Sequence, residues 1–240
     1  IDGCLAMPYQ PFRLDRLNLM AAYSQKSPSV KGTSGYPALS LCSGRAYPYV
    51  EAMSQLLHIQ TPVLFEAGAG MFDPMTTRTT WHPDFTPFVK KEVDAIRHYL
   101  EDVVAKNVTI SIDYAKRSQA ALVGSPDGKI EDVRQEVEEY VFQNHPTFNV
   151  FHTHISIDVV PFGLTKAEGM VWLAETCGIS VSEMAFVGDT GGDVEALSMV
   201  GASFAPANAT KEAKAAAHHA SALYDIDAVL EAYEMVSARS

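Results

Sequence analysis

The chain has 240 residues, 47% of them apolar and 20% charged, with a net charge of −11. That is enough apolar material for the core of one large domain or two modest ones, and it excludes a disordered chain. An acidic chain has no basic face with which to neutralise phosphates, so it is not a general nucleic-acid binder; if it handles a small anion, positive charge must come locally, from a metal ion, a lysine or backbone N–H groups.

After the opening IDGCL, residues 14–25 carry leucines and a methionine spaced for one buried helical face. KGTSGYP is a Gly/Pro loop, and PALSLCSGR reads as a short apolar strand running into a turn. AYPYVEAMSQLLH predicts a helix and PVLFE another apolar strand. Apolar strands alternating with helices indicate a parallel sheet covered on both faces. From about Gly70 to Pro161 the strands alternate and the helices become more charged. TPFVKKEVDAIRHYLEDVVAKN and IEDVRQEVEEYVFQNH predict two amphipathic helices, and VTISIDYAKR, QAALVGS, FNVFHTH and ISIDVVP four strands. Two helices on one antiparallel sheet make an α+β unit. The α/β rhythm then returns, with helix TKAEGMVWLAETCG, strand MAFVGD, helix DVEALSMVG, strand ASFAPA, helix TKEAKAAAHHA and a final helix from about Asp225.

In open α/β sheets, ligands bind beyond the carboxyl ends of the strands. Polar residues fall at such ends in four places: Asp2, the Ser43-Gly44-Arg45 turn, Lys166 at a helix start, and Asp189 with Asp193 in FVGDTGGDVEAL. Each alone is unremarkable as a turn, a helix cap or a solvated lysine. In order and spacing, IDGCL, LSLCSGR, LTKAEG and FVGDTGGDVEAL resemble the four motifs of the haloacid dehalogenase-like (HAD) hydrolases, and the insert resembles their type IIB cap, found in Cof-like and sucrose-phosphatase-like members. The resemblance implies a Rossmann-like parallel-sheet core at residues 1–70 and 162–240, with an α+β cap domain at 71–161. It also implies an Mg²⁺-dependent phosphatase that acts on a small phosphorylated metabolite through an aspartyl-phosphate intermediate. A phosphomannomutase-like mutase and a catalytically inactive HAD-fold binding module are the alternatives.

The resemblance also assigns roles. Asp2 takes the acid/base role and offers its backbone carbonyl to Mg²⁺. Ser43 binds a phosphoryl oxygen by hydroxyl and backbone N–H, beside Gly44 and Arg45. Lys166 supplies the fixed positive charge, Asp189 and Asp193 serve the metal, and Asn208 binds phosphate or orients the lysine, unless it caps the helix that follows. The nucleophilic aspartate, and the central strand before it, would come immediately ahead of Ile1; the expectation is that the sequence starts after a break, by truncation or because that aspartate is modified. Gly192 stands where type IIB relatives usually carry asparagine, and Cys4 where threonine is commonest.

The remaining features are weaker. Cys4, Cys42 and Cys177 are too scattered for disulfides or zinc, which suggests a reducing, cytoplasmic setting. No apolar run reaches the roughly 18 residues of a membrane span, so no membrane partner is expected. His152 and His154 share a strand face but lack a third ligand nearby in sequence, and His218 and His219 read as surface residues of an alanine-rich helix. Glu66, in the EAGAG turn, is a candidate substrate contact, as are Arg78, Trp81, His82, Lys116 and Arg117 in the cap.

Overall fold

A computed structural model of the chain describes residues 1–27, 35–107, 109–124, 130–153 and 155–238. The first α/β segment comprises α1 (Leu14–Lys26), α2 (Tyr47–Leu56) and β1 (Val63–Phe65), then a hairpin of β2 (Gly70–Asp73) and β3 (Arg78–Trp81). The strand expected over PALSLCSGR shrinks to one parallel bridge between Cys42 and Leu64, flanked by backbone bonds from the Leu64 N–H to Leu41 and from the Ser43 N–H to Leu64. Its prolines and glycine limit how far the ladder can run.

The hairpin pairs antiparallel with β1, in the order β1-β2-β3. Phe72 and Trp81 pack with Phe65 in the α/β core, so this stretch belongs structurally with the parallel part of the molecule.

The insert follows as α3 (Pro87–Ala105), β4 (Ile110–Ile112), β5 (Ala120–Gly124), α4 (Ile130–Asn144), β6 (Phe148–His152) and β7 (Ser156–Pro161). Its strands form an antiparallel sheet in the order β4-β5-β7-β6, covered by the two helices. Val93, Ile96, Leu100 and Val103 of α3 recur at helical spacing and meet Leu122, Ile157 and Val159 of the sheet in a core separate from the α/β one.

The chain then completes the α/β part with α5 (Lys166–Cys177), β8 (Ala185–Val187), α6 (Val194–Met199), β9 (Ala202–Ala205), α7 (Lys211–Ala216), β10 (His219–Ala220) and α8 (Asp225–Ser237). These strands run parallel in the order β10-β9-β8. The helix expected over TKEAKAAAHHA stops at Ala216, because Ala217 turns extended at ψ 142°. His219 then joins β10 with its ring edge-on to Phe204, while His218 pairs with Ser203. Residues far apart in sequence are stitched together here: Tyr23 of α1 stacks on Tyr233 of α8, and Arg13 pairs with Asp227. An apolar cavity of about 430 Å³ lies between Leu41–Cys42 and β8, lined also by Ile1, Cys4 and Phe186. Among the described residues, no helix is long and apolar enough to cross a membrane.

Candidate active site

Four segments meet at one place: Asp2–Gly3, Ser43–Arg45, the start of α5, and Asp189–Asp193, joined by Arg45 to Asp2, by Gly3 against Asp189 and by Lys166 to Asp193. Gly3 turns at φ +71°, and a Cβ there would stand 1.9 Å from Asp189 Oδ2, so the Asp189 carboxylate lies directly against the Asp2–Gly3 backbone. Only glycine permits that approach.

Asp193 organises the fourth loop. It is 1% exposed, and both of its oxygens are occupied. Lys166 donates to Oδ1 at 2.6 Å, while Oδ2 accepts the Asp189 and Thr190 N–H groups at 3.1 and 3.0 Å and the Thr190 hydroxyl at 3.0 Å. Burial acts to raise the Asp193 pKa, but the Lys166 ammonium and the loop donors outweigh it and hold the carboxyl below its usual range. Burial likewise opposes the charge on Lys166, and Asp193 overcomes it, so the lysine stays protonated. The expected positive charge is therefore present and fixed, on the first residue of α5.

Asp189 is the opposite case. Among the described residues its carboxylate meets only a weak contact from the Cys4 thiol at 3.7 Å, and burial with the Asp193 charge pushes its pKa up to about 6. Among the described residues no cation pairs directly with its carboxylate, and the nearby Lys166 charge does not offset burial.

Asp2 faces Arg45 in a bidentate pair, at 2.7 Å from Nε and 2.6 Å from the second nitrogen. Burial raises its pKa, but the guanidinium more than reverses this and keeps Asp2 ionised. Arg45 is further held over the rings of Tyr9 and Tyr49, each 5.0 Å away. Arg45, expected beside the phosphate, is paired with Asp2 in this structure.

Ser43 also departs from expectation in part. Its backbone N–H is spent on the Leu64 carbonyl at 3.1 Å, because residue 43 still belongs to the sheet edge. Its hydroxyl accepts the Arg45 N–H at 3.2 Å and keeps its own proton for a ligand. No atom lies within 4 Å of where a Cβ on Gly44 would stand, so the backbone there is open to close approach. Asn208 is used at both ends of its amide, donating to the Gly3 carbonyl at 2.7 Å and accepting the Asp225 N–H at 2.9 Å. It supports the Asp2–Gly3 turn rather than presenting itself to phosphate, and Thr210 caps α7 in its place.

The three aspartates do not form a ready-made cluster: among the described residues no group of three or more His, Cys, Asp or Glu side chains could hold a metal. The donor chemistry still suits Mg²⁺, which takes one or two carboxylates and completes its shell with water and substrate oxygens. Asp189 offers a carboxylate with no directly paired cation among the described residues, and the Asp2 main-chain carbonyl belongs to the backbone beside it. Asp193 accepts hydrogen bonds from Lys166 and from the Asp189 N–H. His152 is exposed, and His154 lies outside the described residues.

The cap candidates scatter. Trp81 packs into the core, His82 sits against Trp172, Arg78 is exposed, and Lys116 is buried against Asp158 and Gln119. Glu66 is 1% exposed, and one of its carboxylate oxygens accepts three hydrogen bonds from residues 117 and 118. A lone acid closing the apolar run VLFE is the sequence signal that marks it.

A model of the haloacid dehalogenase-like hydrolase family matches residues 75–232, well over half of the chain. The chain is a haloacid dehalogenase-like hydrolase. It is 28% identical over 179 residues to a phosphoglycolate phosphatase of Thermoplasma volcanium, covering 74% of this chain and 73% of the relative. A crystal structure of a Thermoplasma acidophilum protein superposes with a TM-score of 0.76 at 20% identity, covering 98% of this hydrolase and 95% of that chain. A HAD subclass IIB sugar phosphatase does so with a TM-score of 0.69 at 17% identity, covering 98% and 96%. The fold is that of the type IIB hydrolases, cap included.

Placement of α5 in this hydrolase depends on a backbone contact. Gly68 turns at φ +93°, and a Cβ there would stand 2.8 Å from Gly169 Cα and from the Thr165 carbonyl, beside Lys166. Gly68→Ala should lower stability by about 2–4 kcal/mol. Gly35→Ala, at φ +69° with nothing within 4 Å among the described residues, supplies the comparison. It carries the left-handed strain alone and should cost about 1–2 kcal/mol. Urea denaturation checks both, and equal losses would mean the Gly68–Gly169 approach is unimportant.

Proposed function

We propose that this hydrolase is an Mg²⁺-dependent phosphatase for a small phosphomonoester, a sugar phosphate or a small phospho-acid such as phosphoglycolate, working through an aspartyl-phosphate intermediate. The observation that carries the reading is Lys166 fixed by Asp193 beside Asp189, whose pKa is raised, at the meeting point that also holds Ser43. Phosphoryl transfer needs little else from a protein than in-line positioning and cancellation of oxygen charge.

Lys166 and the Ser43 hydroxyl would meet the phosphoryl oxygens, with Gly44 leaving room for them. Asp189 and the Asp2 carbonyl would hold Mg²⁺, which when bound supplies neutralising charge across the phosphoryl group. The nucleophile in this reading is the aspartate that the resemblance places immediately before Ile1. Its carboxylate bonds to phosphorus as the ester oxygen leaves. Once Arg45 has turned away and the Asp2 carboxyl has taken up a proton from solvent, Asp2 gives that proton to the leaving oxygen and later takes one from the attacking water, which displaces the aspartate and releases inorganic phosphate. Because Asp2 is paired with Arg45, this role requires the arginine to turn toward the incoming anion. Three free cysteines fit a reducing compartment, and the cytoplasm is the proposed location.

A phosphate-release screen tests the reading on protein expressed with whatever its gene encodes before Ile1, using sugar phosphates and phospho-acids with and without Mg²⁺. Turnover should need Mg²⁺, and acid quenching with labelled substrate should trap phosphate on a peptide ahead of Ile1. Isomerised hexose phosphate would make the protein a mutase. Label on another residue would overturn the nucleophile, and absence of turnover across the panel would leave a binding module.

A further inference from the structure

Glu66 is a buried carboxylate that the chemistry above does not use. One of its oxygens accepts three hydrogen bonds from the cap: the Arg117 N–H at 2.9 Å, the Ser118 N–H at 2.7 Å and the Ser118 hydroxyl at 2.6 Å. Its own backbone is tied to the loop expected to hold phosphate. The Glu66 N–H donates to the Arg45 carbonyl at 2.9 Å and the Ala67 N–H to the Ser43 carbonyl at 2.8 Å. Glu66 and Ala67 achieve this at φ +48° and +57°, a left-handed conformation that non-glycine residues rarely hold unless their surroundings enforce it. The cap side is equally fixed. Arg97 donates to the Lys116 and Gln119 carbonyls, and Lys116 is bound to Asp158 and Gln119.

Burying a carboxylate is costly unless its oxygens are satisfied, and burial does push the Glu66 pKa up against those three donors. An uncharged side chain could fill the same space, so packing alone does not explain an acid here. We propose that Glu66 is a positioning residue: its carboxylate latches the cap turn at 116–118 onto the Ser43–Arg45 loop, so that recognition of the leaving group depends on it. A carboxylate suits this because three donors converge on one oxygen, and a charged acceptor holds each more strongly than a neutral one. The reach of the cap over the site is thus set by a residue of the α/β core.

The proposal has one arm that depends on the phosphatase reading and one that does not. Hydrogen exchange of the peptide spanning residues 113–122 reads the latch directly. The Arg117 and Ser118 amides should be protected in the wild type, lose protection in Glu66→Ala, and recover part of it in Glu66→Gln, which keeps an acceptor without the charge. Unchanged protection in Glu66→Ala would overturn the proposal whatever the enzyme turns over.

In the kinetic arm, Glu66→Ala should lower kcat/KM for the best panel substrate about 100-fold, chiefly through KM, by misplacing the cap over the leaving group. Turnover of acetyl phosphate, which presents almost no leaving group to the cap, should change by less than about 3-fold, within uniform-binding effects. Equal losses on both substrates would point to general damage of the phosphate loop and overturn the positioning role. Ser118→Ala, which removes one donor and leaves the fold intact, should give a smaller loss with the same selectivity; no loss, or an equal loss on both substrates, would count against the latch.

Discussion

Lys166→Met should lower Mg²⁺-dependent phosphate release by about 10²–10³-fold, the usual cost of removing one preorganised charge from a phosphoryl site. It should also destabilise the fold by about 3 kcal/mol, since Asp193 would be left buried with its main counter-charge gone. The two effects can be separated. Adding Asp193→Asn to Lys166→Met removes the stranded charge, so stability should recover by about 1–3 kcal/mol, the range of coupling for residues in contact, while activity stays low. Urea denaturation and the phosphate assay on the four members of the cycle decide it. If the double variant is no more stable than Lys166→Met, the pair is not the buried unit that its geometry indicates. If Lys166→Met keeps wild-type turnover, the lysine is structural and the phosphatase reading loses its anchor.

Asp189→Asn should abolish Mg²⁺-dependent turnover and yet make the metal-free protein more stable at neutral pH. In the unfolded chain this group ionises near 3.8, whereas in the folded protein it keeps its proton up to about 6. Between those values the folded state binds more protons than the unfolded one, so the wild type loses stability as pH rises from about 4 through about 6. Discounted for the partial exposure of Asp189, the loss is about 1–2 kcal/mol at pH 7. The asparagine variant carries no such titration and should show a flatter profile over that window.

Mg²⁺ reverses the order. It should raise the melting temperature of the wild type, because it binds the folded carboxylate, and do little for the variant. Equal stabilisation of both proteins by Mg²⁺ would place the metal elsewhere. The carboxylate that weakens the empty protein is in this way the one that makes it responsive to metal.

What the sequence made legible, and what it hid, follow from how local each feature is. The cap helices were readable because Val93, Ile96, Leu100 and Val103 repeat at helical spacing inside one segment. The positions of Lys166 at a helix start and of Asp189 and Asp193 at a strand–turn–helix junction were readable because local pattern fixes each within a few residues. The failures are all long-range. The Arg45–Asp2 pair joins positions 43 apart, and Asn208 reaches Gly3 across 205 residues. Nothing near either residue in sequence signals the partner. The two-residue β10 exists only through its pairing with β9, so an alanine-rich stretch with helical propensity gave it no local mark. The partners of Glu66 were hidden for the same reason, being cap amides more than 50 residues away.

The entrance and exit of the cap bear on how such an enzyme could change its diet. Its core is built from residues between Val93 and Val159 alone, and the chain leaves and returns at neighbouring points, with Asp84 Oδ2 3.5 Å from where a Cβ on Gly163 would stand. A unit whose two ends meet can be lifted out and exchanged as a cassette without rethreading the rest. The chemistry would remain with Lys166 and the aspartates, while the guest unit brought a different preference for the alcohol being released. The transplant would be held to one local condition: where its turn meets the α/β core, it must present donors to the carboxylate at position 66.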